Sequence, residues 1–179
     1  MKKYKCGLYI GRFQPLHVGH THIIAKMFEE CEKVIIAIGS SQEYHTKRNP
    51  LPFVMRRIFI LECFPALEDE GRLHIVPIPD REKVSNDASW GDYVFEKIYN
   101  QCELVPDAIY EGEEVERTSW YDNLNVDIIK VPRTIIPVSA TEIREGLLSG
   151  NDEVIRRYIP YGIRDRVEYI KREIEKCKD

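Results

Sequence analysis

The chain has 179 residues, a length suited to one well-filled core and short for two. Hydrophobic residues make up 43% and charged residues 31%, the balance of an ordinary soluble globular protein. A net charge of −4 excludes a general nucleic-acid binder but leaves room for a local basic pocket, and no run of about 18 apolar residues is present to span a membrane.

In chain order, residues 6–10 (CGLYI) form a short apolar run ending at Gly11, the pattern of a buried strand. Residues 21–31 place Ile23, Ile24, Met27, Phe28 and Cys31 at helical spacing on one face. A near-continuous β-branched run at 33–40 predicts a strand covered on both sides. A helix follows over 53–64, a third strand over 72–79, and a helix over 89–102 with Trp90, Tyr93, Val94 and Ile98 inward. Strands four and five fall at 107–112 and 126–132. Ser139 with Glu142 three residues later forms a capping box, and Gly150 stops the helix it opens. A last amphipathic helix over 163–177 sets Val167, Ile170, Ile174 and Cys177 on one side.

Strand–helix alternation with short connections predicts an α/β fold: a Rossmann-like open parallel sheet of five strands, helices on both faces, and a helical C-terminal part. With no linker or repeat, residues 1–179 read as one domain, the sheet core over about 1–138 and the C-terminal helices over about 139–179. The N-terminal apolar stretch lasts about five residues before Arg12, too short for a signal peptide. Five scattered cysteines without CxxC spacing read as reduced thiols, which points to the cytoplasm.

Ligands of such sheets bind outside the carboxyl ends of the strands, near the point where strand order reverses. That rule selects Gly11–His20, Gly39–Pro50, Pro77–Trp90 and Glu111–Arg117. In the first loop Gly11 permits a tight turn and Gly19 a close approach of ligand to backbone. The next helix directs unpaired N–H groups to the same place, and Arg12, His17 and His20 complete an anion site. Neither a Walker A loop nor GxGxxG is present. Zinc on His17 and His20 would want a third ligand, and none lies near in sequence.

The stretch GRFQPLHVGH resembles the HxGH signature of the nucleotidyltransferase superfamily, and most closely its archaeal-type nicotinamide mononucleotide adenylyltransferases. Three further blocks resemble that branch in order: GSSQEYHTKRNP (39–50), SWGDYV (89–94) and VSATEIR (138–144). The resemblance implies adenylyl transfer from ATP to nicotinamide mononucleotide, giving NAD and pyrophosphate. It implies that His17, His20, Arg12 and Arg144 act on the phosphates, with Gly11, Phe13, Gln14, Gly19, Arg56, Ser139 and Thr141 around the ATP. Arg57 rivals Arg56 by one position. Ser40, His45, Asn49, Asp80 and Trp90 would hold the mononucleotide, Trp90 by stacking. Relatives assemble into symmetric oligomers, so a homo-oligomer is expected.

A phosphomonoester is largely dianionic at neutral pH, so the attacking group needs no general base. The absence of a Ser/His/Asp or Cys/His constellation fits. Repulsion between polyanions is the obstacle, and permanently charged arginines address it. Mg²⁺ bound mainly through the phosphates is expected, without a protein metal cage.

Two features stand against the simplest version. Where relatives tend to read S-G-N after the fourth strand, this chain has Glu111-Gly112-Glu113. The block after Asn49-Pro50 also departs, with Leu51, Pro52 and Met55. A related transferase using CTP or another phosphorylated acceptor is therefore an alternative, as is a nucleotide-binding regulator without turnover. Ser139 and Glu142 make a sound cap with no ligand, and Trp90 fits a core position as well as a stacking one.

Overall fold

The computed structural model describes residues 1–81, 88–113, 119–132 and 139–177. Five strands, β1 (Tyr4–Gly11), β2 (Cys31–Gly39), β3 (Leu73–Ile78), β4 (Ala108–Gly112) and β5 (Asp127–Val131), form one sheet in the order β3-β2-β1-β4-β5. Every pairing is parallel. This is an α/β Rossmann-like sheet. Strand order runs one way from β1 to β3 and then jumps to β4 on the other side of β1. The switch point therefore lies between the carboxyl ends of β1 and β4, where a ligand crevice opens.

The helices are α1 (Val18–Glu30), α2 (Phe53–Cys63), α3 (Pro65–Asp69), α4 (Ala88–Cys102), α5 (Ala140–Leu148), α6 (Asp152–Tyr158) and α7 (Val167–Glu175). The alternation of β2 divides the interior into two layers. Val34, Ile36 and Ile38 join Ile23, Ile24 and Met27 of α1, Phe59 of α2 and Ile170 of α7. Ile35 and Ala37 face the other way, onto Val94 and Ile98 of α4. Both faces of the sheet are thus covered, which is why β2 reads as an unbroken apolar run.

The boundaries depart from the sequence reading in places. Cys31 opens β2, paired with Tyr4, and is not on the helix face. The final amphipathic segment begins as a 3-10 turn over Tyr161–Arg166, broken at Ile163, so regular helix starts only at Val167. Two short helices, α3 and α6, were not foreseen. Asn151 caps α6 through its side chain, accepting from Glu153 N (3.0 Å), a signal present in the sequence. Gly150 ends α5 region at φ +70°, and the Ser139–Glu142 capping box forms as read.

Candidate active site

β1 delivers Gly11 to the crevice, and the chain turns through Phe13 at φ +53° before α1 begins at Val18. His17 is the residue before that helix and His20 lies in its first turn. Their rings stack with centroids 3.6 Å apart, and the His17 amide donates to Nδ1 of His20 (3.2 Å). Both are nearly buried. A Cβ on residue 19 would sit 3.1 Å from the His17 ring, so glycine lets the pair pack this tightly. Phe13 supports the His20 ring from below at 4.8 Å. The edges of a stacked imidazole pair are thereby held against the N-terminus of a helix.

Arg12, His17, His20, Arg48, Ser139, Thr141 and Arg144 wall a cleft of about 290 Å³. Three guanidinium groups converge on it. Arg12 has its pKa lowered by desolvation first, then by the charges of Arg48 and Arg144. Arg144 is held in place by its Nη1 donating to Gln14 O (2.7 Å) and Nη2 to Thr141 Oγ1 (3.1 Å). Burial lowers its pKa as well. Mutually repelling cations gathered on one cleft, only partly offset by Asp80 and Glu43 near Arg12, make a site for a polyanion. Arg48 escaped the sequence reading, although it lies in one of the loops the switch-point rule selects.

Several residues assigned to the ATP phosphates have other occupations. Arg56 is fully buried and donates to three carbonyls: Arg12 O (3.0 Å), Gly39 O (2.8 Å) and Ser40 O (3.0 Å). Its guanidinium, pushed down to about 10 by desolvation and then by Arg12, ties β1 to β2 behind the cleft and does not line it. Arg56 is thus occupied by backbone carbonyls and is not among the walls of the cleft. Gln14 spends its amide on the backbone of Leu51, donating to its O and accepting from its N (2.9 Å each). Phe13 is core. Ser139 lines the cleft, with its hydroxyl engaged by the backbone and carboxylate of Glu142.

A second cleft, also about 290 Å³, opens between β1 and β4. Trp90 and Trp120 wall it with Tyr9, Tyr110, Glu111 and His20. Gly91 makes this possible, since a Cβ there would lie 2.2 Å from Trp120 O. Trp120, on a 3-10 turn over Ser119–Tyr121, was left without a role by the sequence. His20 is a wall of both clefts, so the cationic and aromatic halves meet at its ring.

The residues assigned to the mononucleotide divide. Trp90 faces the aromatic cleft, whereas Ser40, His45, Asn49 and Asp80 are not among its walls. Asp80 accepts from Ser40 Oγ (3.1 Å) and Gln42 Nε2 (3.2 Å). Asn49 is buried and its Nδ2 donates to Glu43 Oε2, while His45 Nε2 meets Glu173 Oε2 of α7 at 2.9 Å. These side chains brace the Arg48 loop. In the acidic loop Glu111 takes Lys130 Nζ (2.6 Å) and Tyr121 OH (3.1 Å) on Oε1.

Among the described residues no group of three or more His, Cys, Asp or Glu could hold a metal ion, and the cationic cleft repels one. A divalent cation fits only if phosphate oxygens bring it. No helix among the described residues is long and apolar enough to cross a membrane.

Comparison with known proteins gives one consistent family. Residues 8–146 match the family described as Cytidylyltransferase-like. The chain is 31% identical over 174 residues to the nicotinamide-nucleotide adenylyltransferase of Thermococcus kodakarensis, covering 93% of this chain and 87% of that protein. It is 31% identical to the nicotinamide/nicotinic acid mononucleotide adenylyltransferase of Acinetobacter baylyi, covering 90% and 84%. Two crystal structures of a bifunctional NMN adenylyltransferase/ADP ribose pyrophosphatase from Francisella tularensis are similar, at TM-scores of 0.74 and 0.66 with 25% and 28% identity. They cover 96% and 82% of this chain, which spans only 50% and 42% of theirs; the second holds AMP and a Mn ion.

Proposed function

The chain belongs to the Cytidylyltransferase-like family, among the nicotinamide-nucleotide adenylyltransferases, and on that premise we propose that it transfers an adenylyl group from ATP to nicotinamide mononucleotide. The observation that carries this is the position of His20 between a cationic cleft and an aromatic one. A triphosphate suits the first and a flat ring the second. Their shared wall is where the α-phosphate and the attacking phosphate must meet.

The attacking oxygen of the mononucleotide phosphate forms a bond to the α-phosphorus as the bond to the bridging oxygen breaks and pyrophosphate leaves. No proton has to be removed, because the nucleophile is already ionised. The chain therefore works by alignment and charge. Trp90 and Trp120 hold the ring, which fixes the direction of attack. Arg12, Arg48 and Arg144 offset repulsion between the two polyanions and take up charge on the departing pyrophosphate. His20 donates at the reacting phosphate, with His17 stacked behind it. A divalent cation such as Mg²⁺ would be held through the phosphate oxygens and not by a protein cage, and would supply further charge neutralisation.

Free thiols at all five cysteines support a reducing, cytoplasmic setting. A homo-oligomer is expected from the resemblance to the family. Residues 1–179 act as one nucleotidyltransferase domain. Pyrophosphate release and dinucleotide formation, measured with ATP or CTP against a panel of phosphorylated acceptors, test the reading. NAD from ATP and nicotinamide mononucleotide is the expected product. Faster release with CTP or another acceptor, or nucleotide binding with no release at all, overturns it.

A further inference from the structure

We propose that Glu111 sets the choice between amidated and deamidated acceptors, rejecting a ring that bears a carboxylate; this rests on the functional reading above. Glu111 is the penultimate residue of β4 at the switch point, is 8% exposed, and is the one carboxylate among the described walls of the aromatic cleft. The remaining walls are aromatic, aliphatic or backbone, with the imidazole of His20 at one end.

Its orientation is fixed from behind. Lys130 lies directly opposite on β5 in the strand register, and its Nζ reaches Oε1 at 2.6 Å. Tyr121 donates to the same oxygen at 3.1 Å. Neither Lys130 nor Tyr121 is a wall of the cleft. Among the described residues both contacts thus fall on Oε1, which leaves Oε2 as the oxygen for a ligand in the cleft to meet. The charge-assisted pair at its back also holds the group in place.

Two candidate rings differ at one substituent. The nicotinamide ring is a pyridinium with a neutral carboxamide, which offers an N–H donor to a carboxylate and a positive ring to its charge. The nicotinic acid ring has the same pyridinium but an anionic substituent and no N–H donor. Placed in the same orientation, it sets two carboxylates against each other inside a largely desolvated slot. Such juxtaposition is costly, whereas the amide gains a hydrogen bond. The acidic loop, which looks misplaced beside phosphates, is then a selectivity element facing the ring and not the phosphate chain.

The test is kcat/KM for each mononucleotide with ATP, in the wild type, Glu111→Gln and Lys130→Met. The ratio of the two values does not depend on how much of a variant is folded. The wild type is expected to prefer nicotinamide mononucleotide, and Glu111→Gln to lower that preference about tenfold or more, chiefly by accepting the deamidated substrate better. Lys130→Met, which leaves the carboxylate's charge unbalanced, is expected to raise the preference. An unchanged ratio in Glu111→Gln overturns the proposal while leaving the activity intact. A wild type that forms a dinucleotide from neither acceptor overturns the functional reading itself.

Discussion

The amide of His17 donates to Nδ1 of His20 at 3.2 Å, and this bond decides what His20 can offer a substrate. A ring nitrogen that accepts a hydrogen bond carries no proton, so the neutral ring has its proton on Nε2. The backbone at the start of α1 thereby selects a tautomer that is a donor on the side away from the helix. The stacked His17 ring and the Phe13 ring beneath keep that donor aimed.

His20→Asn separates these roles, because an amide oxygen can replace Nδ1 at the helix start but nothing replaces Nε2–H. Turnover is expected to fall about a hundredfold or more, the cost of one preorganised donor, with the melting temperature nearly unchanged. His20→Ala should lose as much activity. Steady-state pyrophosphate release beside a thermal melt reads both; near-normal turnover in the asparagine variant removes His20 from the mechanism.

Arg48 is exposed and lines the cleft with Arg12, whose pKa is lowered first by burial and then by the charge of Arg48. Before ligand binds, that repulsion is unfavourable. Arg48→Ala should therefore leave stability of the free protein within about 0.5 kcal/mol of wild type, or slightly higher. Its KM for ATP should rise about tenfold, and the effect should shrink at high salt as screening weakens every charge in the cleft. Unchanged KM would place the triphosphate elsewhere.

Arg56 is the opposite case. Arg56→Met leaves the carbonyls of Arg12, Gly39 and Ser40 without their donor in a buried setting. A loss of about 3 kcal/mol or more is expected, read from the denaturant midpoint. A variant of normal stability with weakened ATP binding would restore Arg56 to the phosphates.

The loop carrying Arg48 is fastened to α7 by one carboxylate. Glu173, 5% exposed, meets His45 Nε2 at 2.9 Å and Lys176 Nζ at 2.6 Å. Burial works to raise its pKa, but those two partners outweigh it, and the net shift is below the ordinary 4.5. A depressed folded pKa means the stabilisation is full above about pH 4.5 and disappears as pH falls through the lower folded value. Glu173→Gln should thus be less stable than wild type at neutral pH, and the gap should close in acid. Because the loop holds Arg48, Glu173→Ala should also raise KM for ATP. Combined with Arg48→Ala, the effect on KM should be less than additive; full additivity would uncouple the fastening from the site.

How much of this was readable in the chain depends on the range of each interaction. The five strands and the main helices follow from local apolar period, and β2 shows it best, since both faces of that strand are covered. The His17–His20 turn and the Ser139 cap were legible for the same reason, being interactions three residues apart. The bracing contacts of Arg56 were not legible, because its partners are carbonyls 16 to 44 residues away, which leave no mark in the sequence. Arg48 was passed over as one more basic residue in a polar loop. Trp120 and Glu111 gained meaning only when the crossover to β4 set them against Trp90 and His20.

The central claim is that the first crossover and the start of α5 form one cradle for a triphosphate, with the reacting phosphorus at His20. A crystal structure with a non-hydrolysable ATP analogue and nicotinamide mononucleotide tests it most directly. The account predicts the β- and γ-phosphates among Arg12, Arg48 and Arg144, the α-phosphate within hydrogen-bond reach of His20 Nε2, and the pyridinium ring between Trp90 and Trp120. A triphosphate bound away from the two histidines, or a transition-metal ion seated between them, would contradict it.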